Sequence, residues 1–200
     1  ALLAVPSTNK VLVFGPDSGE ILGVVEVGNN PAQGALSPDG TKAIFTCLEL
    51  KRNVYTREKP FGELVGSIVS IDLETLEVQT LDLEEVFISF ASNIVFSQDG
   101  STGFITSTAT DQLIRFDVEA MTEITPRLQF TAGTRPTSIE PFPDGSRLAV
   151  VLTGSTGLNR QEVPDSVALV DPEAFQVVKS LVPPPSTPNL VGVHDFTAST

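Results

Sequence analysis

The tetrapeptide Ser37-Pro38-Asp39-Gly40 constrains this chain more than any other stretch, because it returns as Ser97-Gln98-Asp99-Gly100 and as Phe142-Pro143-Asp144-Gly145. Each copy stands between short apolar runs: Ala35-Leu36 and Ala43-Ile44-Phe45 around the first, Ile94-Val95-Phe96 and Phe104-Ile105 around the second, Ser138-Ile139 and Leu148-Ala149-Val150-Val151 around the third. Proline at the second turn position presets φ, aspartate bonds its own backbone, and glycine takes the left-handed position that closes a hairpin. The chain therefore builds one β-hairpin three times, and such a repeat decides the fold before any single residue does.

A second hairpin type alternates with the first. Val11-Leu12-Val13-Phe14 turns through Gly15-Pro16-Asp17-Ser18-Gly19-Glu20 into Ile21–Val27, and the same unit returns around Asp72-Leu73-Glu74-Thr75, Asp117-Val118-Glu119-Ala120 and Asp171-Pro172-Glu173-Ala174. The flanking runs alternate and are rich in β-branched residues, which marks them as strands. Together the two hairpins define a four-strand unit: A into the Asp-Gly turn, B out of it, C into the Asp-x-Glu turn, and D. Asp39 and Asp99 are 60 residues apart and Asp99 and Asp144 are 45 apart, so the unit is near 45 residues with an insertion in one copy. A four-stranded unit of that length buries both faces only by stacking on its neighbours, as the blades of a β-propeller do.

The order of Pro, apolar strand, Ser-Pro-Asp-Gly, strand, Val-x-x-Ile-Asp, strand, Gly resembles the YVTN-type β-propeller repeat of prokaryotic surface, periplasmic and cytochrome-linked proteins, a group that includes quinoprotein amine dehydrogenase-like and surface-antigen propellers. The strand B tetrads Ile44-Phe45-Thr46-Cys47, Phe104-Ile105-Thr106-Ser107 and Val150-Val151-Leu152-Thr153 are degenerate forms of its name-giving motif. The fold class expected is all-β, with four-stranded antiparallel blades over approximately 1–28, 29–83, 84–131 and 132–183 and a further blade starting in 184–200. The chain opens in a strand B (Leu2–Val5) and ends in a strand A (His194–Ala198), with no initiator Met. Two arrangements follow: part of a larger ring, most often seven-bladed in this family, or a closed four-blade ring in which the last strand A completes the first blade.

Composition narrows the functions. With 12 basic against 25 acidic residues and a net charge of −13, the chain as a whole repels nucleic acid and anionic membranes. No apolar run approaches the roughly 20 residues of a membrane span. Cys47 is the single cysteine and His194 the single histidine, which excludes an internal disulfide, a cysteine metal cluster and any two-histidine site within the chain. Cys47 sits among Ile44, Phe45 and Leu48 and reads as a small buried hydrophobe. There is no Walker A ending after Gly154-Ser155-Thr156-Gly157, no Gly-x-Ser-x-Gly elbow and no EF-hand loop, so no cofactor or metal is expected.

Two insertions, 48–66 and 154–165, both fall between strands B and C. Strand polarity places them on one rim, together with the D-to-A connections, one of which is the stiff Val182-Pro183-Pro184-Pro185-Ser186-Thr187-Pro188. The first insertion holds Lys51, Arg52, Tyr55, Arg57 and Lys59, a basic patch on an acidic protein that suits an acidic partner or, equally, a solvated loop of mixed charge. The second contributes Asn159 and Arg160. Strand A lies nearest the axis, and at its start stand Asn93, Arg135 and His194. In propeller lactonases and quinoprotein-like enzymes, His, Asp, Arg and Asn at the channel mouth carry the chemistry, so the resemblance makes these three candidate catalytic residues; the alternative is that small polar groups there bond the strand ends and hold water. Glu140, inside Ser138-Ile139-Glu140-Pro141, is an acid in an apolar strand position and needs a partner such as Arg135 or Arg147.

The reading adopted is a non-catalytic binding scaffold, secreted, periplasmic or displayed on a cell surface. Its partner is a protein or small molecule at the loop rim, with homo-oligomerisation open. The alternatives are a lactonase-like or quinoprotein-like dehydrogenase propeller, and a component of a self-assembling surface layer joined through exposed strand D edges.

Overall fold

The computed structural model describes residues 1–51, 63–83, 93–108, 110–154 and 163–182, except for the side chains of 48–51 and 63–65. Fifteen strands run in chain order. β1 (Leu2–Val5), β2 (Lys10–Phe14) and β3 (Ile21–Glu26) form a three-stranded sheet. Three four-stranded sheets follow: β4 (Pro31–Leu36), β5 (Lys42–Lys51), β6 (Glu63–Asp72) and β7 (Val78–Leu83); then β8 (Ile94–Phe96), β9 (Thr102–Ser107), β10 (Gln112–Asp117) and β11 (Thr122–Gln129); then β12 (Pro136–Pro141), β13 (Leu148–Leu152), β14 (Ser166–Asp171) and β15 (Gln176–Leu181). All are antiparallel meanders in sequence order, as the paired turns predict. The last expected strand A, 194–198, lies outside the described residues.

Alternation along the strands divides the core into three layers, one between each pair of successive sheets. Ala43, Phe45 and Cys47 on β5 meet Val11 and Val25 of the first sheet, whereas Ile44 faces the third sheet among Ile94, Phe96, Ile105, Ile114 and Phe116. Phe104 and Leu113 then meet Ile139, Leu148, Val150, Ala168 and Val170 of the fourth sheet. A one-residue slip of any of these strands would exchange its two layers, so the register is set from both sides.

The repeated Asp-Gly turns pack on one another at one end of the stack. Gly40, Gly100 and Gly145 hold φ of 72°, 75° and 69°, a region that side chains with a Cβ rarely adopt. A Cβ on Gly100 would lie 3.2 Å from Pro38, and one on Gly145 would lie 3.1 Å from Gln98, so each turn rests on the second residue of the turn before it. Lys42 reaches across to Glu119 and ties the second sheet to the third.

The C-to-D turns contribute a feature that their Asp-x-Glu spacing does not announce. Leu76, Met121 and Phe175 are the fifth residue of the three turns and sit at φ of 62°, 48° and 50°. Left-handed backbone costs a residue with a Cβ about 1–2 kcal/mol. Burial of a large apolar side chain contributes about 1.5–3 kcal/mol, and Met121 and Phe175 are only 5% and 7% exposed in the layer facing the preceding sheet. Leu76 likewise inserts against Gly23, where a Cβ would stand 2.6 Å from its Cδ1. Burial outweighs the strain, and each sheet pegs itself onto the one before. Asp72, Asp117 and Asp171 stabilise these turns by each accepting the backbone N–H groups two and three residues on, which is the Asx-turn role their recurrence implies.

Candidate functional site

The two ends of the sheets are built differently. At the end formed by A-to-B and C-to-D turns, the Asp-Gly turns bond locally, with the Lys42–Glu119 and Arg147–Asp171 ion pairs as longer links: Ser37 Oγ and Thr41 N–H donate to Asp39, Ser97 Oγ and Ser101 N–H to Asp99, and Ser146 N–H to Asp144. These donors hold all three carboxyls below their usual range; the serine hydroxyl is the main cause at Asp39 and Asp99, and the Ser146 N–H at Asp144, where Phe142 replaces the serine.

The other end is held together over longer spans. Asp111 occupies the short B-to-C turn of the third sheet at φ 55°. Its carbonyl accepts the Phe130 N–H at 2.9 Å, its Oδ2 the Gly133 N–H at 2.8 Å and its Oδ1 the Arg135 N–H at 2.7 Å. Thr153 then donates its N–H and hydroxyl to the Arg135 carbonyl, both at 3.2 Å. The whole D-to-A connection, 130–135, is thereby folded around one carboxylate. The first sheet repeats the device: Asn9, at φ 58°, accepts the Val27 N–H on its carbonyl and the Asn30 N–H on its Oδ1, and donates to Asn29 Oδ1 at 2.9 Å. Asn30 and Arg135 both have positive φ (48° and 50°), and both immediately precede the proline that opens strand A. The signal was available in the sequence as Thr8-Asn9 and Thr110-Asp111, a Thr-Asx pair at the B-to-C turn of the two copies that lack an insertion.

In the second and fourth sheets this clamp position is taken up by the insertions. The first insertion is not a loop from its start. β5 and β6 remain paired through Leu48↔Gly66, Glu49↔Val65, Leu50↔Leu64 and Lys51↔Glu63, so the hairpin extends beyond the sheet before the excursion begins. Loop composition drew the boundary at Leu48; the apolar–polar alternation of Leu48-Glu49-Leu50-Lys51 carries the ladder further. Lys51 ends β5, while Arg52, Tyr55, Arg57 and Lys59 lie outside the described residues. The second insertion leaves the sheet at Gly154, φ 60°, whose α-carbon packs against the Val163 carbonyl on the returning chain. Asn159 and Arg160 lie outside the described residues, as does His194.

Of the residues expected at a channel mouth, Asn93 and Arg135 stand immediately before β8 and β12, which pack on each other. Asn93 is half-buried and Arg135 is exposed on its clamped backbone. Below them, the hydroxyls of Thr106 on β9 and of Thr137 and Ser138 on β12 are buried without a hydrogen-bond partner among the described residues, so this end of the inner strands is polar inside. Glu140 is half-buried in β12, and Arg147 forms an ion pair with Asp171 at 3.2 Å. Cys47 is fully buried, as its apolar neighbours imply.

The three-layer stack, the meander order and the inner-strand contacts are those of a propeller, and the solved structures agree. Hydrazine synthase of Kuenenia stuttgartiensis superposes with a TM-score of 0.69 at 18% identity, over 90% of this chain and 45% of that one. The dihydro-heme d1 dehydrogenase NirN, in complex with DHE, gives 0.64 at 11% identity over 92% and 35%. A catalytically inactive virginiamycin B lyase from Staphylococcus aureus, with quinupristin, gives 0.63 at 16% over 94% and 53%. The chain is an all-β propeller fold and spans about half or less of the length of these proteins. No family model and no curated protein matches it in sequence. Among the described residues no helix is long and apolar enough to cross a membrane.

Proposed function

We propose that the chain is a YVTN-type propeller acting as a rigid, non-catalytic scaffold outside the cytoplasm, binding a partner through the rim that carries both B-to-C insertions. The observation that supports it most is the contrast between the two ends. One is closed by short turns whose carboxyls bond within the turn. The other holds two D-to-A connections, those after the first and third sheets, through Asn9 and Asp111, and carries both insertions. Rigid sheets with variable loops at one end are the usual arrangement of a recognition surface. Lys51, Arg52, Tyr55, Arg57 and Lys59 in the first excursion favour an acidic protein surface, and Asn159 and Arg160 extend the contact.

The β5–β6 ladder supplies a clean test. Joining Lys51 to Glu63 through a two-residue Asn-Gly turn removes 52–62 while preserving every described pair of that hairpin. Partners are first captured with the intact chain. The shortened protein should keep its strand signature in circular dichroism and lose the captured acidic partner; undiminished capture refutes the reading.

A second reading has one observation in its favour: Arg135 is held by its backbone at the start of an inner strand, next to the strand that begins after Asn93. It makes the chain a lactonase-like or dehydrogenase-like enzyme using Asn93, Arg135 and His194. Turnover of a lactone panel that disappears in His194→Ala supports that reading, and no turnover by the intact protein ends it.

A further inference from the structure

On the end opposite the insertions, Arg115 is a half-buried cation at a strand C position where the other four-stranded sheets carry no charge. Counting back from the aspartate that closes strand C, its counterparts are Ser70 on β6 and Leu169 on β14. Ile114 and Phe116 point toward the second sheet, so Arg115 points with Leu113 into the layer shared with the fourth. There its guanidinium carbon lies 4.3 Å from the centre of the Phe175 ring, which packs on Phe104 at 6.3 Å. Its Nε is buried without a hydrogen-bond partner, and among the described residues it forms no ion pair. The residue as a whole is half-buried, and it is the Nε–H that is withdrawn from water; an aromatic face offsets only part of that cost, so this N–H is short of an acceptor.

The space in front of it is a pocket of about 630 Å³ between the third and fourth sheets, within the range of small-ligand sites. Its apolar wall includes Phe104 and Leu148, and Asp99, Asp144 and Glu173 lie on its lining. The hydrogen bonds that Asp99 and Asp144 accept fall on Oδ1, which leaves a second oxygen on each for an incoming donor. The lining thus carries one cation, Arg115, and three exposed carboxylates that form no ion pair with it among the described residues, so a simple anion is repelled by the acids and a simple cation by the arginine. A molecule carrying both charges at short separation satisfies both.

We propose that this pocket binds a free α-amino acid, with the carboxylate paired to Arg115, the ammonium held by the Asp99, Asp144 and Glu173 side, and the side chain against Phe104 and Leu148. A planar guanidinium is the group best matched to a carboxylate. The site is on the other rim from the loop surface and does not depend on it.

Heteronuclear NMR of the Arg115 Nε–H signal, identified by its loss in Arg115→Lys, reads the contact directly. The whole chain is titrated with a panel of the standard α-amino acids, and with acetate and methylammonium. At least one amino acid should shift the Arg115 signal saturably. Its N-acetyl and carboxamide derivatives should each bind about tenfold or more weakly, the loss expected for one charge-assisted hydrogen bond. Asp144→Asn should weaken binding while leaving the Arg115 signal in place, and the 52–62 deletion should leave binding unchanged. The proposal is overturned if no amino acid moves the signal, if acetate moves it equally well, or if Arg115→Lys binds as tightly as the parent.

Discussion

Replacing Asp111 by asparagine changes one atom and tests how the loop rim is held. The carboxylate accepts two backbone N–H groups on separate oxygens, Arg135 at 2.7 Å and Gly133 at 2.8 Å. An amide has one acceptor, so one N–H would be set against an NH₂ group. A hydrogen bond to a charged group contributes about 1.5–3 kcal/mol, and water replaces part of that where the donor is exposed. Asp111 and Gly133 are half-buried and Arg135 is exposed. The expected loss for Asp111→Asn is therefore at the low end, about 1–2 kcal/mol. Glycine is at ease at φ 55° but removes both acceptors and frees the unfolded chain, so Asp111→Gly should cost about 0.5–1 kcal/mol more. The first sheet provides the converse. Asn9 donates to Asn29 Oδ1 as well as accepting from Asn30, so Asn9→Asp should also destabilise, by setting a carboxylate oxygen against a carbonyl. Urea unfolding followed by circular dichroism gives the stabilities, and hydrogen exchange at Gly133 and Arg135 localises the effect. If Asp111→Asn leaves both the unfolding midpoint and the Gly133 exchange rate unchanged, the carboxylate does not hold this connection and the rigidity argued for the rim is wrong.

Met121→Gly removes left-handed strain and also an almost fully buried side chain; because the burial contributes more than the strain costs, the variant should lose about 2 kcal/mol or more in urea unfolding. A stabilised variant would show that the peg is strain without return. The pH dependence has a definite sign. Asp39, Asp72, Asp99 and Asp144 have folded pKa values depressed by hydrogen bonds, so their contribution is complete above the unfolded carboxyl value and is lost as pH falls through the lower folded one. The unfolding midpoint should decline below about pH 4. That decline should be shallower in Asp99→Asn, which is already weaker at neutral pH; an unchanged acid limb in Asp39→Asn/Asp99→Asn/Asp144→Asn would remove turn carboxylates as the cause.

What was legible in the sequence divides along the same line as the two rims. Ser-Pro-Asp-Gly and Asp-x-Glu turns satisfy themselves within a few residues, so their chemistry is written locally, and from them the strand order, the layers and the side of the insertions all followed. The Asp111 clamp closes with a residue 24 positions away, and a lone aspartate before a strand shows nothing of that until the D-to-A connection is placed beside it. Leu76, Met121 and Phe175 contradict local rules, since bulky residues avoid positive φ, and only the preceding sheet makes the conformation worthwhile. Arg115 was hidden in a different way. One charge inside Leu113-Ile114-Arg115-Phe116 leaves the strand reading intact, and its oddity emerges only when alternation assigns it to a layer otherwise filled by apolar groups.

These cases share a cause. A turn rim satisfied locally can be copied from sheet to sheet, and it is copied here three times. A rim or pocket satisfied between sheets depends on which two sheets meet, so it differs at every interface. The clamp appears at the first and third sheets, the insertions at the second and fourth, and, among the described residues, the buried unpaired Nε of Arg115 between the third and fourth. In a repeat fold, departures from the repeat are where recognition can be particular. Asp111 and Arg115 are therefore better guides to function in this chain than the turns that reveal its architecture.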